Sequence, residues 1–313
     1  MPESRIAQLA GSPLLQQFAI SASQSAIRKV GNFIAPLCEV PDLTFRYKTY
    51  TDKHRYKVPN TKRNPGSPAT VLGFSADDAT ATLEGNALNF PIPNAGALSD
   101  ESLQFTMMEG QTLLADASGL ALEKEIIDMA VGGLSGHSAD SDFTSDAVDP
   151  ISVLDDMILT VMKAAKNGAP VKILFGTTKF KQFRTNAKVL SRFIVGTGRG
   201  STGIKSPTID DVSGMLMTAP EVQLSLMVVD TAAEGLAESM GFLLDSQVLV
   251  FASNSTPNRM DPSFMKTFSR MGGFFKPGQF TTEDGRDEVM KMDWFTLPKL
   301  TNTAAIYGAT TAA

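Results

Sequence analysis

A single cysteine, Cys38, stands in this chain of 313 residues, which excludes an internal disulfide framework and fits a reducing compartment. No run of eighteen apolar residues occurs, so no transmembrane helix is expected. Gln16, Gln17, Ser21, Ser23 and Gln24 stand where a signal peptide needs an apolar core, so the reading is a protein made in the cytoplasm with no membrane partner. No Gly-Lys-Ser/Thr is present, which removes the phosphate loop, and the serines lack a Gly-x-Ser-x-Gly elbow. No internal repeat is apparent. Charged residues make up 19% of the chain, below the usual quarter, as suits a surface largely given to protein contacts.

What chemistry remains is thin. Gly198-Arg-Gly-Ser-Thr-Gly203 matches the dinucleotide string, but Ser206-Pro207 follows within four residues, so no helix N-terminus continues from the last glycine to hold a pyrophosphate. A surface loop over 196–208 is the better reading. The two histidines, His54 and His137, sit in polar segments without a triad context. His137 with Asp140 and Asp142 could touch a metal, although such a Ser/Asp-rich loop is more often solvated. Cys38 follows Ala35-Pro36-Leu37, which favours a buried inert thiol over a nucleophile. The acidic pairs Asp77-Asp78, Asp155-Asp156 and Glu283-Asp284 are sequence neighbours, whose side chains point apart. No catalytic, cofactor-binding or metal residue is therefore assigned, and the chain is not expected to be an enzyme.

The most informative stretch is 42–98. Asp42-Leu-Thr-Phe-Arg-Tyr-Lys-Thr-Tyr50 alternates in period two, with Phe45, Tyr47 and Thr49 on one face and Arg46, Lys48 and Tyr50 on the other. His54-Arg-Tyr-Lys-Val58 alternates again, and Pro59, Pro65-Gly66 and Pro68 break the chain. The run is too polar to build its own core, and an isolated hairpin is marginal in water. An extended arm lying on a neighbour is expected, with a solvated loop as the plainer reading.

Charge supports the arm. Residues 1–64 hold ten Lys or Arg against four acids, a net of +6, while the remainder carries 18 basic and 29 acidic residues, a net of −11. A basic arm on an acidic body is complementary between copies. The predicted contact residues are Arg46, Tyr47, Lys48, Tyr50, Arg55, Tyr56, Lys57, Lys62 and Arg63. Tyr47, Tyr50 and Tyr56 among these cations could also stack on single-stranded nucleic acid, but a pI near 5.2 is acidic for a dedicated binder.

Beyond the arm, Ser99 is placed to cap a long helix, with Asp100 and Glu101 in its first turn. Leu103, Met107, Gly110, Leu114, Ala117 and Ala121 mark its expected inner face, and Gly132-Gly133 ends it. Pro150 opens a second amphipathic helix, Ile151 to Asn167, with Val153, Leu154, Met157, Ile158, Val161 and Met162 inward. A buried strand at 171–175, one helix over 178–189, helix at 209–218, strands at 222–230 and 247–252, and β structure from Phe274 onward complete the reading.

In order, Asn32-Phe-Ile-Ala-Pro-Leu-Cys-Glu-Val40, Tyr47–Tyr50, Arg63-Asn-Pro-Gly66, Glu84-Gly-Asn-Ala-Leu88 and the long helix resemble the tailed-bacteriophage major capsid proteins of the Hong Kong 97 fold, within them the lambda-type major capsid protein E group. Val171-Lys-Ile-Leu-Phe-Gly176 with Phe180, Phe183 and Arg192, then Gln247-Val-Leu-Val-Phe251 with Pro257 and Pro262, continue the likeness. The first 30 residues and 196–207 depart from it. The resemblance implies an α+β capsid fold with an N-terminal arm (1–41), an extended β-hairpin loop (42–98), a peripheral domain with a spine helix (99–168), an axial domain (169–269) and C-terminal strands returning to the peripheral domain (270–313). It implies a self-assembling structural subunit of an icosahedral phage head enclosing double-stranded DNA, formed of hexamers and pentamers. A scaffold or protease, a portal, possibly a decoration protein, and non-specifically held DNA would be the partners, and the location the virion, after synthesis in the bacterial cytoplasm. The alternatives are an encapsulin-like compartment subunit and a nucleotide-binding α/β enzyme using Gly198–Gly203.

Overall fold

The computed structural model describes residues 29–49, 58, 61–62, 66, 77–93, 98–166, 168–192, 194–197, 201–204, 207–233, 235–271, 275–282 and 287–310. The expected arm residues 1–28 lie outside this set. The chain divides into two units, one of Met1–Phe45, Thr82–Ala130 and Lys266–Lys299, the other of Arg46–Ala81, Val131–Met265 and Leu300–Ala313.

The first unit is organised by the strand Glu288–Leu300. It pairs antiparallel with Phe275–Thr281 and with Glu84–Ile92, and it also pairs with Met265–Arg270, which runs parallel to Leu37–Val40. The helix Asp100–Gly132 lies on this sheet. Ser99 caps it as its sequence suggests: the Ser102 amide donates to Ser99 Oγ at 3.3 Å. Its 33 residues make a rod of roughly 50 Å. Leu103, Met107, Leu114 and Ala115 close a core with Ile92, Phe275, Met290, Met292 and Trp294. Burying each large side chain is worth about 1.5–3 kcal/mol.

The inner face of this helix differs from the straight stripe expected. Leu103, Met107, Gly110 and Leu114 are buried, but Ala117 and Ala121 are exposed, and burial continues at Ser118, Gly119, Leu122, Ile126 and Ile127. The covered face drifts because the partner changes. Near Ile126 the helix meets Gly31 of the short helix Lys29–Ile34 rather than the core strands. Gly110 is also more than a weak point in the helix. A Cβ there would sit 2.5 Å from Cδ1 and 2.8 Å from Cε1 of Phe90, so the missing side chain lets helix and strand approach.

The second unit holds a five-stranded sheet in the order Ser138–Asp140, Ile306–Thr310, Gln247–Ala252, Val171–Phe175, Glu221–Leu224. All five residues of Val171–Phe175 are buried, as the apolar run suggests. The helix Pro150–Ala165 packs across three of these strands. Asp149 caps it by accepting from the Ile151 amide at 3.2 Å, and Lys166 ends it in the left-handed region at φ 54°. Ile151, Leu154, Met157, Ile158, Val161 and Ala165 are buried, with Val153 and Met162 only half-buried.

Several elements differ from the sequence reading. The helix expected over 178–189 is two, Thr177–Thr185 and Ala187–Arg192, because Asn186 turns to extended backbone. Its buried side chain donates to the carbonyls of Phe143 and Ser145 at 3.0 and 3.2 Å and accepts from the Lys188 amide at 2.9 Å. The strand expected over 222–230 is also two, Glu221–Leu224 and Val228–Asp230, the latter in a ribbon with Met240–Phe242. The expected loop over 196–208 contains strand: Ile194–Thr197 pairs antiparallel with Ser201–Ile204, while 198–200 lie outside the described residues.

Gly176 begins the helix Thr177–Thr185 and cannot cap it, so Asp245 does so from another part of the chain. Its Oδ1 accepts from Thr177 Oγ1 at 2.7 Å and from the Thr178 amide at 3.0 Å. Hydrogen bonds from Thr178 and Thr177 hold its carboxyl below the ordinary range. A Cβ at Gly176 would meet the Asp245 carbonyl oxygen at 2.3 Å, so only glycine admits this close turn.

Two outcomes test these contacts. Gly110→Leu is expected to lower unfolding free energy by about 1–3 kcal/mol through overpacking, with part recovered in the double variant with Phe90→Ala; denaturant melts of both measure it. Asp245→Asn is expected to lower stability at neutral pH. A carboxyl whose folded pKa is depressed stabilises above its unfolded value and loses that contribution as pH falls through the folded value. The gap between the two proteins therefore closes on acidification, which melts across pH 2–7 follow.

Candidate assembly surfaces

The base of the 42–98 segment is anchored within the chain, which corrects the expectation that it has no internal partner. The strand Thr44–Thr49 pairs with Asp77–Thr82. In the first unit, the Leu83 amide donates to the Leu43 carbonyl at 2.8 Å, Thr44 and Thr82 hydroxyls meet at 3.1 Å, and Phe45 is buried against Phe268 with ring centroids 4.5 Å apart. In the second unit, Tyr47 is buried, Lys48 Nζ reaches Asp78 Oδ1 at 2.6 Å, and the Lys48 amide donates to the Arg259 carbonyl at 3.2 Å. The alternation read from the sequence holds over 45–48, where Phe45 and Tyr47 turn inward while Arg46 is exposed and Lys48 half-buried; Thr49, expected inward, is half-buried like Lys48, and Tyr50 lies outside the described residues. Glu84–Ile92 is likewise a sheet strand.

That anchoring forms a groove in the second unit. A cavity of about 590 Å³ lies between Arg46, Tyr47, Lys48 and Asp78 of the hairpin and Asn258, Arg259 and Met260 of the opposite loop. The loop is fixed locally, since Asn258 Oδ1 accepts from the Met260 amide at 2.8 Å and Asp261 accepts from Ser263. Arg46 and Arg259 form no ion pair with any described residue, so among the described residues the groove's net charge comes from two guanidiniums, Lys48 being offset by Asp78. Burial pushes the Tyr47 hydroxyl pKa up. Met260 adds an apolar wall that is 66% exposed.

Of the predicted contact residues, Arg46, Tyr47 and Lys48 therefore come together, and Lys62 is exposed elsewhere in the described chain. Tyr50, Arg55, Tyr56, Lys57 and Arg63, and His54 with them, lie outside the described residues. Arg259 and Met260 were missed because nothing local in Asn258-Arg-Met260 signals contact with a strand some two hundred residues earlier.

The remaining candidates have structural roles. Cys38 is buried in a strand and forms no disulfide. The polar loop around Phe143 is pinned: buried Lys179 donates to the Ser141 carbonyl and lies 4.4 Å over the Phe143 ring. Lys188 donates to the Ala147 carbonyl at 2.6 Å, and Arg192 pairs with Asp149 at 2.6 Å. Asp142 accepts from the Thr144 hydroxyl and amide, which lowers its pKa. Among the described residues no group of three or more His, Cys, Asp or Glu is placed to hold a metal, and no helix is long and apolar enough to cross a membrane.

No family model matches the chain, and no curated protein matches it. Solved structures do. A phage-related protein from Bordetella bronchiseptica RB50 superposes over 96% of both chains at 19% identity, with a TM-score of 0.66. The chain has the Hong Kong 97 capsid fold. The mature capsid of bacteriophage PhiM1 matches 91% of this chain and 87% of that one at 9% identity and a TM-score of 0.52. An encapsulin complex from Synechococcus elongatus PCC 7942 matches 93% and 94% at 12% identity and a TM-score of 0.50.

Proposed function

We propose that this chain is a major capsid protein, the repeating structural subunit of an icosahedral phage head that encloses double-stranded DNA. One observation carries this reading: the fold match runs over nearly the whole of both chains with a phage-related protein, and a mature phage capsid shares the fold. The order of short motifs from Asn32 to Pro262 favours the lambda-type major capsid protein E group. The subunit would act in hexamers and pentamers, with a scaffold or protease and a portal as helpers, DNA held without sequence preference, and the virion as its location.

The arm has its role in this reading. Arg46, Tyr47 and Lys48 sit at its root, and by their chemistry Tyr50, Arg55, Tyr56, Lys57, Lys62 and Arg63 would add basic and aromatic contacts to a neighbour. Such contacts are individually weak, since an exposed ion pair contributes about 0–1 kcal/mol, but a closed shell repeats each of them in every subunit. Apolar burial over roughly 2,000–5,000 Å² holds an obligate interface, and charge sets its register.

A compartment shell of the encapsulin type is the second reading, favoured by the Synechococcus match. Contents separate the two: particles assembled with the neighbouring genes hold DNA in the first case and a protein cargo in the second.

Phe45 and Tyr47 must be kept in any test of the arm. Thr44 lies opposite Thr82 and Lys48 opposite Asp78, so Thr49 and Asp77 face each other and accept a two-residue Asn-Gly turn. Replacing 50–76 by Asn-Gly is expected to leave a subunit that melts within a few degrees of wild type yet forms no closed shells in electron micrographs. Normal shells from this variant, or its unfolding, would remove the arm from the assembly mechanism.

A further inference from the structure

We propose that the groove beside Arg46 receives the exposed face of the long helix from a second copy, with Glu101 and Glu109 meeting Arg46 and Arg259 and Phe105 packing on Met260. The inference rests on the shell reading above and names the surface that fills this site.

The helix Asp100–Gly132 is covered on one face by its core, but its first turns carry a second, outward stripe. Glu101, Phe105 and Glu109 follow at i, i+4 and i+8, about 12 Å along one side of the helix. Phe105 is 71% exposed, and Glu101 and Glu109 are exposed on either side of it. Neither carboxylate has an ion-pair partner among the described residues. Many other acids are already engaged: Asp149 with Arg192, Asp211 in the cap of the helix Ile209–Met215, Asp230 with the amides of Ala232 and Ser239, Asp245 with Thr177 and Thr178.

The groove presents the opposite chemistry. Arg46 and Arg259 are exposed and unpaired among the described residues, and Met260 is 66% exposed beside them. Two carboxylates with a phenylalanine between them on the helix thus match a groove lined by two guanidiniums and a methionine. A guanidinium binds a carboxylate through two parallel N–H donors, and methionine sulfur packs well on an aromatic ring. Phosphates of a nucleic acid would satisfy the guanidiniums but leave Met260 in water, which favours the helix.

Charge reversal tests the pairing on the full chain. Arg46→Glu with Arg259→Glu, and separately Glu101→Lys with Glu109→Lys, are each expected to reduce sedimentable particles about tenfold or more by setting like charges together. The subunit melts should stay within a few degrees of wild type, and combining all four changes should restore particles to within about twofold. A mixture of Phe105→Cys and Met260→Cys chains, oxidised and thiol-blocked before denaturation, should give a disulfide-linked dimer that neither variant forms alone. Wild-type yield from either reversed pair overturns the proposal. So does a cross-linked monomer from one chain bearing both cysteines, which would place the contact inside the subunit. Loss of particle nucleic acid in the arginine variant without rescue by the lysines assigns the groove to phosphate and also overturns it. Absence of particles from the wild type defeats the shell reading instead, and the mixed-cysteine dimer still decides the pairing.

Discussion

Everything in the first unit depends on the strand Glu288–Leu300 being covered by the helix Asp100–Gly132. The strand pairs with segments some two hundred residues earlier and with its immediate predecessor, and Met290, Met292 and Trp294 supply the surface on which Leu103, Met107 and Leu114 settle. Gly110 sets how closely the two can approach. Because the pairing is long-range, its loop-closure entropy is spent before any contact compensates. Once formed, it holds the long helix on the sheet, with Phe105 on its outward side 71% exposed.

The second unit solves a different problem, holding a polar loop on a sheet. Lys179, Asn186, Lys188 and Arg192 bind the carbonyls and carboxylate of 141–149. Buried polar groups are stable only when partnered, and these residues provide the partners. In the proposed shell, weak contacts would be repeated many times, so modest pairs at the hairpin root would set register while apolar burial sets strength.

Much of this was legible in residue order. Period-two alternation placed Phe45 and Tyr47 inward, Ser99 and Pro150 marked the helix starts, and the apolar run 171–175 announced a strand buried on both faces. These are local signals, set by backbone geometry and side-chain type within a few residues. The sequential order of short motifs also carried the fold, since an architecture is a sequence of elements.

Tertiary structure decided the rest. The helix face turns away from Ala117 and Ala121 because its covering partner changes along its length. Asn186 breaks the helix expected over 178–189, since its side chain satisfies backbone groups of Phe143, Ser145, Val148 and Lys188. The groove joins Arg46 to Arg259 where a backbone hydrogen bond brings Lys48 to that loop. The sequence by itself determined which residues form elements and which way their side chains alternate, because those follow from local geometry. Which distant residues share a surface depends on long-range pairing, and no local pattern encodes that.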